Sequence, residues 1–272
     1  MGSERGGPGG AGAGTDRDYV VWGRRPVAEA LESGRQINKI IMAKGSVDPG
    51  ILAAARARHI PVSETDRQGL ERAAAEVRAG NHQGVIAFLA PIEYVELSDV
   101  LQAAKASGED AFIAVLDGIE DPQNLGSIIR TANAAGTHGV VIPVRRSSPV
   151  SPAVVRASAG AAAYTPVARV TNIVRTIESL KQAGLWVVGT EPEAATSLYD
   201  ADLTGPVAVV VGSEGKGMSR LVGEACDFTV SIPMRGRLAS LNAGAAWAVV
   251  AFEIARQRVG KGGSMGGSPI HS

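Results

Sequence analysis

Three short segments of the chain gather glycines, amides, hydroxyls and single charges in spacings that can do chemistry. The first runs from Asp117 to Arg130, Asp-Gly-Ile-Glu-Asp-Pro-Gln-Asn-Leu-Gly-Ser-Ile-Ile-Arg. An apolar strand enters a turn favoured by Pro122 and then a helix that Gly126 lets pack closely. Asn124 and Arg130 stand six residues apart, just under two helical turns, and are expected to border one end of a cleft. The plainer alternative is an N-capping Asn and a solvated Arg. The second segment, Val207–Gly217, is an apolar strand running into Gly-Ser-Glu-Gly-Lys-Gly. Its glycines let backbone approach a flat ligand and offer N–H and C=O groups. It lacks both the phosphate-loop spacing and the dinucleotide spacing, and Glu214 is a charge that turn chemistry does not need. The third is Ile232-Pro-Met-Arg-Gly-Arg-Leu-Ala-Ser-Leu-Asn242, followed by an apolar helix over 243–256. Ser240 or Asn242 can cap that helix, but one cap does not account for both and leaves Arg235 and Arg237 without a role.

Such loops need a scaffold that brings strand ends together. The runs FIAVLD, GVVIP, WVVGT, VAVVVG and FTVSIP are apolar and β-branched without alternation, as strands of a parallel sheet covered on both faces are. Ligands bind at the carboxyl ends of such strands, where all three segments lie. Upstream, a smaller α/β pattern alternates: helix from Val27, strand Ile37–Met42, helix Ile51–Ala57, a strand edge at Pro61–Val62, helix Leu70–Val77 and strand Gly84–Leu89. The chain therefore divides into a disordered Gly-rich tail (1–17), a small domain (18–91), an acidic linker with a short helix at Leu97–Ala106 (92–111), a large domain (112–258) and a second tail (259–272).

The 272 residues carry 27 Lys+Arg against 27 Asp+Glu, so bulk charge does not make this a nucleic-acid coat; any such site is a local cluster. One cysteine, Cys226, excludes a disulfide framework and a Cys-rich zinc site and fits a reducing cytoplasm. The histidines share no ligand-like spacing, so no metal is expected. No apolar run is long enough for a membrane span.

Asn124-x-Gly126-x-x-x-Arg130, the Gly-Ser-Glu-Gly-x-Gly loop and Ile-Pro-Met…Ser-Leu-Asn, in this order, resemble the three motifs of the SpoU/TrmH family of RNA ribose 2′-O-methyltransferases. The likeness spans 112–258. Through VVWGRRPVAEAL and GNHQGVIA the small domain resembles the RNA substrate-binding domain of the bacterial 23S rRNA guanosine enzymes. The resemblance implies a C-terminal, trefoil-knotted α/β methyltransferase domain, S-adenosylmethionine as cofactor, a homodimer with its active site near the interface, and action on a guanosine of 23S rRNA. It places Arg130 at the 2′-hydroxyl, with Asn124, Glu214, Ser240 and Asn242 arranging RNA, arginine and cofactor. It places Gly212, Gly217, Ile232 and Leu241 at the cofactor, with Thr190 and Met234 at neighbouring strand ends. Other RNA targets, including tRNA and antibiotic-resistance sites, and a non-catalytic ribosome-assembly factor are the rival readings. The chain departs from the family at Ala243-Gly-Ala-Ala-Trp247, with Gly244 where Ser or Ala is common, which bears on helix packing and the dimer contact. Arg24, Arg25 and Asn81-His82-Gln83 are candidates to face RNA. Arg145, Arg146 and Arg156 are candidates for phosphate contacts.

Overall fold

The computed structural model describes residues 19–46, 48–236 and 240–260, in two compact units that divide after Pro91. The tails expected over 1–17 and 259–272 lie outside the described residues, apart from Val259 and Gly260, which end the last helix.

The first unit runs β1 (Val20–Trp22), α1 (Arg24–Glu32), β2 (Ile37–Ala43), α2 (Pro49–Ala57), β3 (Val62–Thr65), α3 (Arg67–Glu76) and β4 (Val85–Leu89). Its sheet has the order β1-β4-β2-β3, with β2 and β3 parallel and β4 antiparallel to both neighbours. Two helices start on aspartates: the Asp48 carboxylate accepts from Gly50 N and Ile51 N, and that of Asp66 from Gly69 N. Val27, Leu31, Ile40, Met42, Ile51 and Val85 fill the space between helices and sheet.

The second unit begins with α4 (Leu97–Ser107) and continues β5 (Phe112–Asp117), α5 (Pro122–Ala134), β6 (Gly139–Pro143), α6 (Pro152–Ala157), β7 (Val167–Val170), α7 (Ile173–Gln182), β8 (Trp186–Thr190), β9 (Thr196–Ser197), β10 (Val207–Gly212), α8 (Arg220–Ala225), β11 (Phe228–Ser231) and α9 (Ala243–Gly260). All seven strands are parallel, in the order β7-β6-β5-β10-β8-β11-β9. Along β5, Phe112, Ala114 and Leu116 join a core with α5 and α9, whereas Ile113 and Val115 join a second core with α4, α7 and α8. This two-sided burial is why the strands read as continuous apolar runs.

Residues 92–111 are not a linker: they belong to the second unit. Val100 of α4 is fully buried, and a Cβ on Gly139 would meet its Cγ1 at 2.6 Å. Val95 bridges Ala168 of β7. The local composition is acidic because α4 buries only one narrow face.

The connection from β9 to β10 is laced to α9. Gln257 Nε2 donates to Ala201 O at 3.0 Å, and Leu203 N donates to Gln257 Oε1 at 2.8 Å. The Arg258 guanidinium lies 5.3 Å from the Phe112 ring centre and donates to Asp110 O, Ala111 O and Gly205 O at 2.7, 3.0 and 2.8 Å. Arg258→Ala therefore strips donors from three carbonyls and is expected to lower stability by about 2–3 kcal/mol. Denaturant unfolding checks this, and an unchanged midpoint would show that water replaces the guanidinium without loss.

Candidate active site

The parallel sheet sets the ends of β5 and β10 at one level: Gly212 pairs with Asp117. Each strand then turns into one of the segments singled out by composition. Beyond β5, the Asp121 carboxylate caps α5 by accepting from Asn124 N at 2.8 Å, so Asn124 lies in the first turn and is not the cap. Beyond β10, the glycine loop closes on itself, with Ser213 N donating to Gly217 O at 3.0 Å and Gly217 N to Ser213 O at 2.8 Å. The Asp117 carboxylate ties the two segments together by accepting from Ser219 N at 2.7 Å.

The third segment joins them at its far end. Asn242 caps α9, its Oδ1 accepting from Ala245 N at 2.7 Å, while its Nδ2 donates to Asn124 Oδ1 at 3.1 Å. One amide therefore does both jobs: it starts the helix and fixes the Asn124 side chain. Ser240 is exposed coil and has no part in the cap. Arg235 is exposed, and Arg237 lies outside the described residues.

A cleft of about 880 Å³ opens at this sheet edge, with Asn124, Glu214 and Gly217 in its lining. Arg130 is not there. At 100° per residue, six residues turn the helix by 240° beyond one full circle, so Asn124 and Arg130 leave α5 about 120° apart. Arg130 instead shares a side with Ser127, one turn earlier. Ser127 Oγ is 3.0 Å and Asn124 Oδ1 3.8 Å from where a Cβ on Gly244 would sit, so the start of α9 borders α5 along Asn124 and Ser127. The Gly244 departure is thus accommodated as a close crossing of α5 and α9, and Trp247 is fully buried against Phe112 with ring centres 5.7 Å apart.

The remaining residues expected at a cofactor end neighbouring strands. Thr190 closes β8, its hydroxyl donating to Val210 O at 3.1 Å. Gly212 closes β10, half-buried Ile232 follows β11, Met234 is 38 % exposed, and Leu241 precedes α9. Thr190, Gly212, Ile232 and Met234 thus end or follow three adjacent strands, with Leu241 at the head of α9; of this uncharged set and Gly217, only Gly217 lines the cleft. That donor set suits an adenine ring and a sulfonium, and it offers no cation for a polyphosphate. Gly212 also has a packing role of its own. A Cβ there would stand 2.2 Å from both Gly217 C and Met218 N, so the loop's closure requires a glycine here.

The sequence reading missed Asp117 as the tie between segments, and Thr171 and Asn172, which line the cleft from the end of β7. A four-residue strand containing Arg169 gave too little periodicity to place them. Cys226 is set aside as a nucleophile: burial pushes its thiol up to about 11, against the pull of the Lys181 ammonium. Among the described residues no group of three or more His, Cys, Asp or Glu can hold a metal ion, and no helix is long and apolar enough to cross a membrane.

The family model described as SpoU rRNA Methylase family matches residues 111–252, and that described as RNA 2′-O ribose methyltransferase substrate binding matches residues 20–95. A putative TrmH family tRNA/rRNA methyltransferase, YacO of Bacillus subtilis, is 44 % identical over 244 residues, covering 89 % of this chain and 96 % of its own. An uncharacterized tRNA/rRNA methyltransferase of Mycolicibacterium vanbaalenii is 46 % identical over 248 residues, 90 % of this chain and 78 % of that one. Among solved structures, the SpoU methyltransferase AviRb of Streptomyces viridochromogenes, in complex with AdoMet, aligns with a TM-score of 0.56 and 27 % identity, covering 89 % of this chain and 90 % of that one. An AdoMet-bound rRNA methyltransferase of Sinorhizobium meliloti aligns with a TM-score of 0.56 and 29 % identity, covering 88 % and 87 %.

Proposed function

The chain belongs to the SpoU methylase family of tRNA/rRNA methyltransferases, and from that premise we propose that it methylates the ribose 2′-hydroxyl of a guanosine in 23S rRNA. The observation that carries this reading is the meeting of all three segments at one sheet edge, through the Gly212–Asp117 register and the Asn124–Asn242 hydrogen bond. S-adenosylmethionine is the cofactor, in line with the AdoMet-bound neighbours. When bound, it supplies a methyl group made electrophilic by its positive sulfur.

The protein's share is to hold the hydroxyl in line and to ease the loss of its proton. The uncharged strand ends at Thr190, Gly212, Ile232, Met234 and Leu241, with Gly217, hold the cofactor. Asn124, fixed by Asn242, orients the ribose, and Glu214 and Ser240 arrange its surroundings. Arg130 stabilises the developing alkoxide; a guanidinium, with a pKa above about 12, does not serve as the base.

Arg130 is exposed on α5 outside the cleft, and the enzyme acts as a homodimer. α9 exposes Ala245 and Phe252, with half-buried Val249 between them and exposed Val259 beyond, an apolar face that a second copy would cover. The C-terminal chain, with α9 packed on residues 201–205, forms the trefoil knot that the family resemblance implies. The first unit supplies RNA recognition, as its substrate-binding family match supports, and the enzyme acts on rRNA in the cytoplasm.

Mapping methylated riboses in rRNA and tRNA from cells with and without the protein tests this. One 23S guanosine is expected to lose its 2′-O-methyl when the protein is absent. Loss of a methyl from tRNA alone would overturn the target, and loss of none would overturn the activity.

A further inference from the structure

The cleft carries charge of both signs. Asp117, Glu120, Asp121 and Glu214, with the cation Lys216, stand on the side of β5 and β10, and Arg145 and Arg146 stand together on the side of β6. Two of the acids are already engaged, Asp117 by Ser219 N and Asp121 by Asn124 N. The two arginines are exposed and make no ion pair or hydrogen bond among the described residues. In a solvated surface loop, such arginines would be free to wander.

Here the backbone on both sides of them is pinned. Val144 N donates to Val170 O at 2.8 Å, and Ser148 N donates to Ile119 O at 2.7 Å. Ser148 and Val150 are buried, and Val150 N donates to the Tyr94 hydroxyl at 2.9 Å. Between these anchors Arg146 adopts a φ of 55°, a left-handed conformation that a branched or bulky residue takes only when its surroundings impose it. The loop therefore carries two uncompensated guanidinium groups on a fixed base, inside the same cavity as Asn124.

A ligand that fills such a cleft is anionic at one end and rich in neutral hydroxyls at the other. A ribose joined to its phosphodiester has that character. Guanidinium forks match phosphate oxygens, and the amide of Asn124 matches a ribose hydroxyl. We infer that Arg145 and Arg146 hold the phosphodiester adjoining the target ribose, and so set the 2′-hydroxyl at Asn124. The inference rests on the reading of the protein as an RNA ribose methyltransferase. It assigns substrate placement to the loop after β6, in the cleft that Asn124 and Glu214 line.

The test uses the full-length protein, S-adenosylmethionine and 23S rRNA from cells lacking the protein. Wild type, R145Q/R146Q and R145K/R146K are compared by single-turnover methyl transfer over a range of RNA and KCl concentrations. Cofactor affinity is measured by calorimetry. R145Q/R146Q should need about tenfold more RNA and show a salt dependence shallower by about one unit of slope for the lost phosphate contact. At saturating RNA its rate should still fall about tenfold, because the ribose is no longer held in register. Cofactor affinity should be unchanged. R145K/R146K should restore the salt slope and only part of the saturated rate, since a point charge lacks the planar fork. A double glutamine variant with the wild-type salt slope and saturated rate overturns the inference while leaving the methyltransferase reading intact. If wild type transfers no methyl to this RNA, the reading itself fails and the inference falls with it.

Discussion

Arg130→Ala is expected to slow methyl transfer by about 10²–10³-fold, the usual cost of removing one preorganised donor from a site of developing charge. The loss should fall on the single-turnover rate, with cofactor affinity unchanged, because the proposed interaction matures only in the transition state. Stability should stay within about 0.5 kcal/mol of wild type, since Arg130 is exposed and makes no ion pair or hydrogen bond among the described residues. Arg130→Lys should restore part of the rate, keeping charge but losing the fork. The structure sharpens this experiment, because Arg130 lies outside the cleft lined by Asn124. A wild-type rate in Arg130→Ala would mean that the guanidinium never reaches the ribose. The assignment implied by the family resemblance would then be wrong for this chain.

Gly212→Ala should be the most damaging methyl-sized change in the glycine loop. The added Cβ meets backbone at 2.2 Å, which no side-chain rotation relieves. The strand end or the Ser213–Gly217 closure must move, and Met218 with it. A Cβ on Gly189 would already lie 2.5 Å from Met218 Cε, which leaves little room for that shift. The expected cost is about 3 kcal/mol, at the upper end of core overpacking, and cofactor affinity should fall at least tenfold as the strand ends lose register. Gly205→Ala, with open space around its Cβ and an ordinary φ, is the control and should unfold with the wild type. Matching denaturant midpoints for Gly212→Ala and wild type would refute the closure argument. The same clash makes bulkier substitutions at Gly212 poor probes of the pocket, since the loop fails before the ligand is tested.

The long elements were legible because both sheet faces are covered. FIAVLD and VAVVVG cannot be anything but buried strands once helices flank them, and the small domain's alternation placed six of its seven elements. The elements that escaped were β1, β7 and β9, of three, four and two residues, too short for a period to show. Arg169 in β7 reads as a surface residue until Tyr94, 75 positions earlier, brings its ring within 4.7 Å of the guanidinium. Residues 92–111 misled for the same reason: Val100 belongs to a core that only the distant β6 and β7 complete. At the site, residue types were readable and directions were not. Asn124 and Arg130 look like a pair in spacing and diverge on the helix. Gly212 reads as a ligand contact, and its packing requirement against Gly217 and Met218 shows only in the folded loop.

The strand order has a consequence for how the chain is made. β10 sits between β5 and β8, and it is synthesised after both. Until residue 212 has left the ribosome, β5 and β8 each present an unpaired, mostly apolar edge, the template on which strands of other chains add. The central pairing also closes a loop of about 90 residues between β5 and β10, a non-local contact of the kind that slows folding. The nascent second unit must therefore wait, partly open, for its own middle strand. Slow release or crowding of translating ribosomes should favour aggregation of this protein far more than any weakness of the finished fold would suggest.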